Sequence, residues 1–138
     1  MKRSLLYRII SIVLLLFAAG HTIGFSKVDP SWHADAVVTS MQNVHFQIGS
    51  FDRTYWGFYL GFGYFVSIFQ VFAAVLAWQL GGLSKEVLAQ LPLMTWGLAL
   101  SFAGVVYLSW KYFFLPPLVL STIVATFLLV AAWLARRG

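Results

Sequence analysis

The sequence predicts an all-α integral membrane protein, a four-helix bundle, and three observations lead to this prediction. Hydrophobic residues make up 61% of the 138 residues and charged residues 9%, against roughly 45–50% and about 25% in an average soluble protein. Four apolar segments each approach the roughly 20 residues that a helix needs to cross a bilayer. A chain of this length cannot hide so much apolar surface in its own core, so lipid must cover it. An intrinsically disordered chain and an ordinary water-soluble enzyme are both excluded.

The four predicted spans belong to a single transmembrane domain that covers residues 1–138. They run from about residue 4 to 24, 55 to 80, 87 to 110 and 113 to 135. Each span is predicted to be helical, because backbone groups in lipid must bond within their own segment and four spans are too few for a closed barrel.

The distribution of Lys and Arg predicts the orientation of the helices, because cytoplasmic loops carry an excess of these residues. With the N-terminus inside, more basic residues fall on the cytoplasmic side than outside. The inner set is Lys2, Arg3, Arg8, Lys85, Arg136 and Arg137, and the outer set is Lys27, Arg53 and Lys111. We therefore expect both termini to lie in the cytoplasm.

The connection between the first and second spans, residues 25–54, is long for a compact protein. From Asp35 to Ile48 apolar residues recur at helical spacing with polar residues between them, and Gly49 follows as a stop signal. We expect a long outer loop that contains a short amphipathic helix, lying on the outer surface or capping the bundle.

Small residues predict which helix faces pack, because helices in lipid associate through close approach and interhelical hydrogen bonds. Two stripes qualify, and we expect them to meet. One contains Gly63, Ser67 and Gln70 in the second span, and the other contains Gly97, Ser101 and Gly104 in the third. Gln70 lies near the middle of its span, so its amide should face another helix and form a structural hydrogen bond, or else contact a ligand.

Gly57 and Gly61 form a second close-approach site on the outer half of the second span. This pair fits contacts within the bundle and contacts in a homodimer equally well.

Polar side chains gather at the predicted outer end. The candidates for ligand binding or another function are His21, Asp35, His45, Arg53, Tyr55 and Tyr59. The alternative is a solvated loop, because loops are polar and this one is long. His21 is the foremost candidate, since its ring titrates near neutral pH and lies among small residues that let another group approach. It either bonds a neighbouring carbonyl or tyrosine, or binds a ligand or moves a proton.

The sequence gives little support to metal, cofactor or nucleic-acid binding. The absence of cysteine excludes disulfides and thiolate metal sites. His33 and His45 are weak metal candidates whose spacing matches no zinc motif, so we predict neither a metal nor a cofactor, while a bound lipid or quinone fits the composition. The net charge of +5 includes no basic run long enough to follow phosphates, which argues against a nucleic-acid partner.

The first helix resembles the start of the DoxX-like family of small four-helix bacterial membrane proteins. The resemblance rests on Arg8 early in the helix, His21 near its end, Gly24, and Lys27 shortly after. In that family the histidine and glycine are adjacent, whereas Thr22 and Ile23 separate them here. The stretch from Tyr55 to Gly63 also resembles a segment of uncharacterised small four-helix membrane proteins.

The resemblance implies a compact four-helix bundle in a bacterial inner membrane, and sometimes an accessory subunit of a quinone-linked respiratory complex. From it and from the residues we expect a non-catalytic membrane protein that binds a lipophilic molecule or serves as an accessory subunit. Its expected partners are membrane lipids, other membrane subunits or further copies of itself. The alternative is a small membrane enzyme that acts on a lipid or quinone by acid-base chemistry at His21, Asp35 or His45.

Overall fold

The computed structural model describes residues 3–136, so Lys2 and Arg137, on which the predicted orientation partly rests, lie outside the described residues. The helices are α1 (Arg3–Gly24), α2 (Asp35–Asn43), α3 (Tyr55–Gly82), α4 (Lys85–Ala89), α5 (Pro92–Tyr112) and α6 (Leu115–Arg136), with a 3₁₀ turn at Pro30–Trp32. Two antiparallel strands, β1 (His45–Ile48) and β2 (Phe51–Thr54), form a hairpin.

Four of these helices, α1, α3, α5 and α6, are long and apolar enough to cross a membrane. The shortest, α5, has 21 residues, which at 1.5 Å per residue is about 31 Å, the thickness of a bilayer's hydrocarbon core. An integral membrane protein is therefore plausible from the length and composition of all four helices.

The third span begins later than the sequence predicted, at Pro92 instead of residue 87. The Ser84 side chain accepts a hydrogen bond from the Val87 N–H and starts the separate short helix α4. Leu91 then leaves the helical conformation, as the residue before a proline tends to do. A break at this proline thus divides the predicted span into α4 and α5.

The chain divides into two compact units, which we describe separately. The helical unit consists of Met1–Phe17 and Gln70–Gly138, and the hairpin unit consists of Ala18–Phe69. Helices α1 and α3 each contribute residues to both units.

The helical unit is built around one hydrophobic core to which α1, α3, α5 and α6 all contribute. Many of its buried side chains are alanines, which let helices in lipid approach closely. They are Ala73, Ala74, Ala77, Ala99, Ala125, Ala131, Ala132 and Ala135. A close contact also forms at Gly81, where a Cβ atom would lie 3.2 Å from both the Ser4 carbonyl oxygen and the Tyr7 Cβ. There the Ser4 hydroxyl donates a 2.6 Å hydrogen bond to the Gly81 carbonyl.

The small-residue stripe of α5 lies on an open face of that helix. Gly97, Ser101 and Gly104 lie exposed, and a Cβ atom on either glycine would meet nothing within 4 Å. The Ser101 hydroxyl bonds back to the Gly97 carbonyl of its own helix. Within the described part of its own unit, this face of α5 is therefore open.

The hairpin unit contains a helix where the outer connection was expected to have one, but the helix is shorter. Helix α2 ends at Asn43, and the second half of the predicted helix is strand β1. Gly49 has a φ of 60° and lies in the two-residue turn between the strands, where glycine adopts left-handed conformations without strain. Gly49 is thus a turn residue and not a helix stop, and the fold includes a small sheet beside its helices.

We predict that Gly81→Val destabilises the protein by about 1–3 kcal/mol, because the added methyl groups overpack the contact between α1 and α3. Unfolding in mixed micelles by a denaturing detergent measures the effect. Gly82→Val is the matched control, since the nearest atom to a Cβ there is the flexible end of Arg8, 3.5 Å away. Equal losses in the two variants would contradict the prediction.

Candidate functional site

All six functional candidates lie in the hairpin unit, but the structure distributes them over separate places. The rings of His21 and Tyr59 both contact the Phe25 ring. His45, Arg53 and Tyr55 belong to the hairpin or directly follow it, and Asp35 begins α2.

A polar cluster of His21, Thr22 and Ser67 joins α1 to α3. The His21 Nδ1 lies 3.1 Å from the Ser67 Oγ, and the Thr22 Oγ1 lies 2.8 Å from the same oxygen. Ser67 is buried, with 7% of its surface exposed. Because apolar contacts gain little between helices in lipid, these hydrogen bonds hold the two helices together here.

The protons of the polar cluster determine what His21 offers to a ligand. The Thr22 Oγ1 also lies 2.7 Å from the Ala18 carbonyl oxygen. If His21 donates from Nδ1 to Ser67, the Ser67 hydroxyl donates in turn either to Thr22 or, at 3.4 Å, to the Gly63 carbonyl, and Nε2 is left as an acceptor. If instead Thr22 donates to Ser67 and Ser67 donates to the His21 Nδ1, the ring proton lies on Nε2, which becomes a donor.

Among residues 3–136, no side chain or backbone group bonds to the His21 Nε2. The His21 ring is half-buried, so this nitrogen is available to a molecule from outside the described chain. It can serve a carbonyl oxygen or a hydroxyl, depending on the tautomer.

Aromatic side chains surround His21. The Phe25 ring stacks on the His21 ring with centroids 5.1 Å apart, and Tyr64 meets Phe25 edge to face at 5.1 Å. The Tyr59 hydroxyl donates a 2.5 Å hydrogen bond to the Phe25 carbonyl. A Cβ atom at Gly63 would overlap the Phe25 ring, so a larger residue there would displace that ring.

The hairpin holds a second polar group. The His45 Nδ1 lies 3.0 Å from an Asp52 carboxylate oxygen, and both side chains are more than half exposed. Arg53 donates to the Asp52 carbonyl and covers the Phe51 ring. An exposed pair of this kind contributes about 0–1 kcal/mol. Tyr55 packs instead against Phe46, with ring centroids 4.9 Å apart.

The weak metal candidates do not converge. His33 lies just after the 3₁₀ turn in a left-handed conformation with a φ of 50°, and His45 faces Asp52. Within the described residues, no group of three or more His, Asp or Glu side chains could hold a metal ion.

Gln70 belongs to the helical unit and is 8% exposed. Its amide oxygen has no hydrogen-bond partner in the described part of the chain. The structural hydrogen bond that the sequence predicted is therefore not found for this atom. The Tyr7 hydroxyl is likewise buried and unpaired among residues 3–136.

Sequence reasoning missed Thr22, Phe25 and Tyr64. Thr22 follows His21 directly, and Ser67 is an isolated hydroxyl in a long apolar span. Isolated polar residues in two spans were the available signal for the polar cluster. Nothing in the residue pattern pointed to Phe25, whose role depends on the open space at Gly63.

No family model matches this chain, and comparisons with curated proteins and with solved structures give no match either. The resemblance to the DoxX-like family therefore stays a prediction from the first helix.

We predict that Ser67→Ala destabilises the protein by about 1 kcal/mol, the scale of interhelical hydrogen bonds in membranes. The reason is that His21 and Thr22 both lose their partner on α3. Ser101→Ala is the matched control, because that serine bonds within its own helix. A double-mutant cycle with His21→Ala measures the coupling, and a coupling of zero would contradict the bond.

Proposed function

We propose that the protein is a non-catalytic integral membrane protein that binds a lipophilic molecule with an oxygen-bearing head, such as a quinone, at the polar cluster. The observation that supports this proposal is the unbonded Nε2 of His21 beside a fixed Nδ1. The bond to Ser67 holds the ring in place, so a ligand oxygen meets a preorganised hydrogen-bonding group.

The setting of His21 favours binding over catalysis. Ser67 is the nearest nucleophile, but it lies inside α3, where the surrounding backbone N–H groups belong to the helix. They cannot stabilise an oxyanion as free N–H groups do in hydrolases. The alternative is an enzyme that moves a proton at His21. It would bind the same ligand, but it would also convert that ligand to a product.

Partners remain part of the proposal. The open small-residue face of α5 and the exposed glycines Gly57 and Gly61 fit the close approach of a helix from another subunit or a second copy. An accessory subunit of a quinone-linked respiratory complex would use such faces. Membrane lipids would cover the remaining apolar surface.

We further propose a bacterial inner membrane with both termini in the cytoplasm. The excess of Lys and Arg on the N-terminal side supports this orientation. It would place the outer connection, and with it His21, on the periplasmic side.

Two substitutions of His21 test the binding proposal. Asparagine retains a polar atom near the Nδ1 position and removes Nε2, whereas glutamine reaches the Nε2 position and gives up the contact at Nδ1. We expect His21→Asn to remain folded and to lose at least about tenfold in affinity for a decyl-benzoquinone probe, because a bond to the ligand oxygen disappears. We expect His21→Gln to retain more affinity while it loses stability. Tryptophan fluorescence in detergent micelles measures both.

Native mass spectrometry of the protein from its own membranes completes the test. One defined lipophilic molecule that is lost in His21→Asn would support the proposal. Unchanged probe affinity in His21→Asn, together with no retained small molecule, would contradict it. Conversion of the probe by the wild-type protein would favour the enzyme instead, and co-purifying polypeptides without a ligand would favour an accessory subunit.

A further inference from the structure

A groove of about 280 Å³ lies in the helical unit, and no residue of the polar cluster lines it. Ser11 and Leu15 of α1 line it together with Val75 and Trp78 of α3. Ser11 is buried, and the other three side chains are about half exposed. The volume is just below the roughly 300 Å³ at which pockets for small molecules begin. Apart from Ser11 its lining residues are apolar, so it suits a hydrocarbon chain.

A cation lies beside this groove. The guanidinium carbon of Arg8 is 3.8 Å from the centroid of the Trp78 ring, which forms part of the groove wall. Arg8, Ser11 and Leu15 are spaced three and four residues apart, so they share one face of α1. The contact between α1 and α3 at Gly81 brings the Arg8 side chain against the same part of α3. The charge and the apolar groove thus form one continuous surface.

Arg8 has no acidic partner in the described chain. Among residues 3–136, the structure shows one salt bridge, between His45 and Asp52, and this pair belongs to the hairpin unit. The Trp78 ring offsets part of the charge. A charged side chain near hydrocarbon still requires an anion or water. A phosphate group fits the planar guanidinium, because the two can form parallel hydrogen bonds.

Arg8 lies about one and a half turns from the start of α1. It follows Arg3 by five residues of α1, or about 7.5 Å along the helix axis. An arginine side chain at this depth extends toward the headgroups while its stem stays in the apolar layer. A phosphate above Arg8 and an acyl chain below it would therefore follow the direction of a lipid in the bilayer.

We propose that Arg8 and this groove bind one anionic phospholipid, in the leaflet that faces the N-terminus. The phosphate would bond to the Arg8 guanidinium, and one acyl chain would lie along Ser11, Leu15, Val75 and Trp78. A zwitterionic lipid fits less well, because its own ammonium group would lie close to the cations Arg3 and Arg8. This site is independent of the ligand proposed for His21.

Native mass spectrometry tests the proposal with the full chain in mixed micelles that contain equal amounts of phosphatidylglycerol and phosphatidylcholine with the same acyl chains. We expect one bound phosphatidylglycerol on the wild-type protein. Arg8→Gln should lower its occupancy about tenfold, the effect of removing a charge-assisted bond. Arg136→Gln is the matched control, since it makes the same charge change outside the groove, and it should leave occupancy unchanged.

A second variant separates lipid binding from loss of structure. Val75→Trp fills the groove from an exposed position and leaves Arg8 in place, so it should also lower occupancy. The proposal is wrong if Arg8→Gln and Val75→Trp retain phosphatidylglycerol at the wild-type level. It is also wrong if phosphatidylcholine binds equally well, or if Arg136→Gln lowers occupancy as much as Arg8→Gln.

Discussion

Four helices of this chain are long and apolar enough to cross a membrane, and a bilayer core holds no water to pair with their polar groups. Each backbone polar group in lipid must find a partner in the protein, and continuous helices meet that demand within one segment. The same constraint applies to side chains, because an unpaired hydroxyl or amide costs more in hydrocarbon than at a wet surface. In α1 and α3 two polar contacts join the helices, whereas the Gln70 amide oxygen and the Tyr7 hydroxyl have no partner among residues 3–136. Ser67 bonds to His21 and Thr22 across the two helices, and Ser4 bonds to the Gly81 carbonyl.

The helices also associate through close packing, which depends on small residues. Glycine at position 81 admits the α1 backbone, while glycine at position 63 admits the Phe25 ring. Alanines fill the core of the helical unit in the same way. The small residues at Gly97, Ser101 and Gly104 have no such neighbour in the described chain. A small residue therefore permits close approach without determining which helix approaches.

That distinction explains how far sequence reasoning reached. Composition and segment length were sufficient for four helices able to span a membrane, because both properties are local. The break before Pro92 was missed because the apolar run continues across it, although Ser84 and Pro92 are standard start signals. The interval from Asp35 to Ile48 has a helical period, yet its second half pairs with β2. Only the turn at Gly49 and the partner strand determine that choice, and neither is visible in the periodicity.

At the candidate site, His21 could be selected from its neighbours in sequence. Its partner Ser67 lies 46 residues away, and no local pattern identifies such a pair.

The two proposed binding sites differ in the chemistry that they can recognise. Arginine keeps its charge under all physiological conditions, so the groove beside Arg8 selects an anion wherever a hydrocarbon chain accompanies it. His21 is a hydrogen-bonding group whose Nδ1 is already engaged, and its Nε2 can donate or accept without any net charge. A neutral ring with an oxygen fits that nitrogen, whereas a phosphate would need a charged partner that the polar cluster does not contain. Neither ligand has the chemistry that the other site recognises. A substitution that empties one site should therefore leave the other occupied. This independence distinguishes specific binding from general retention of lipid by an apolar protein.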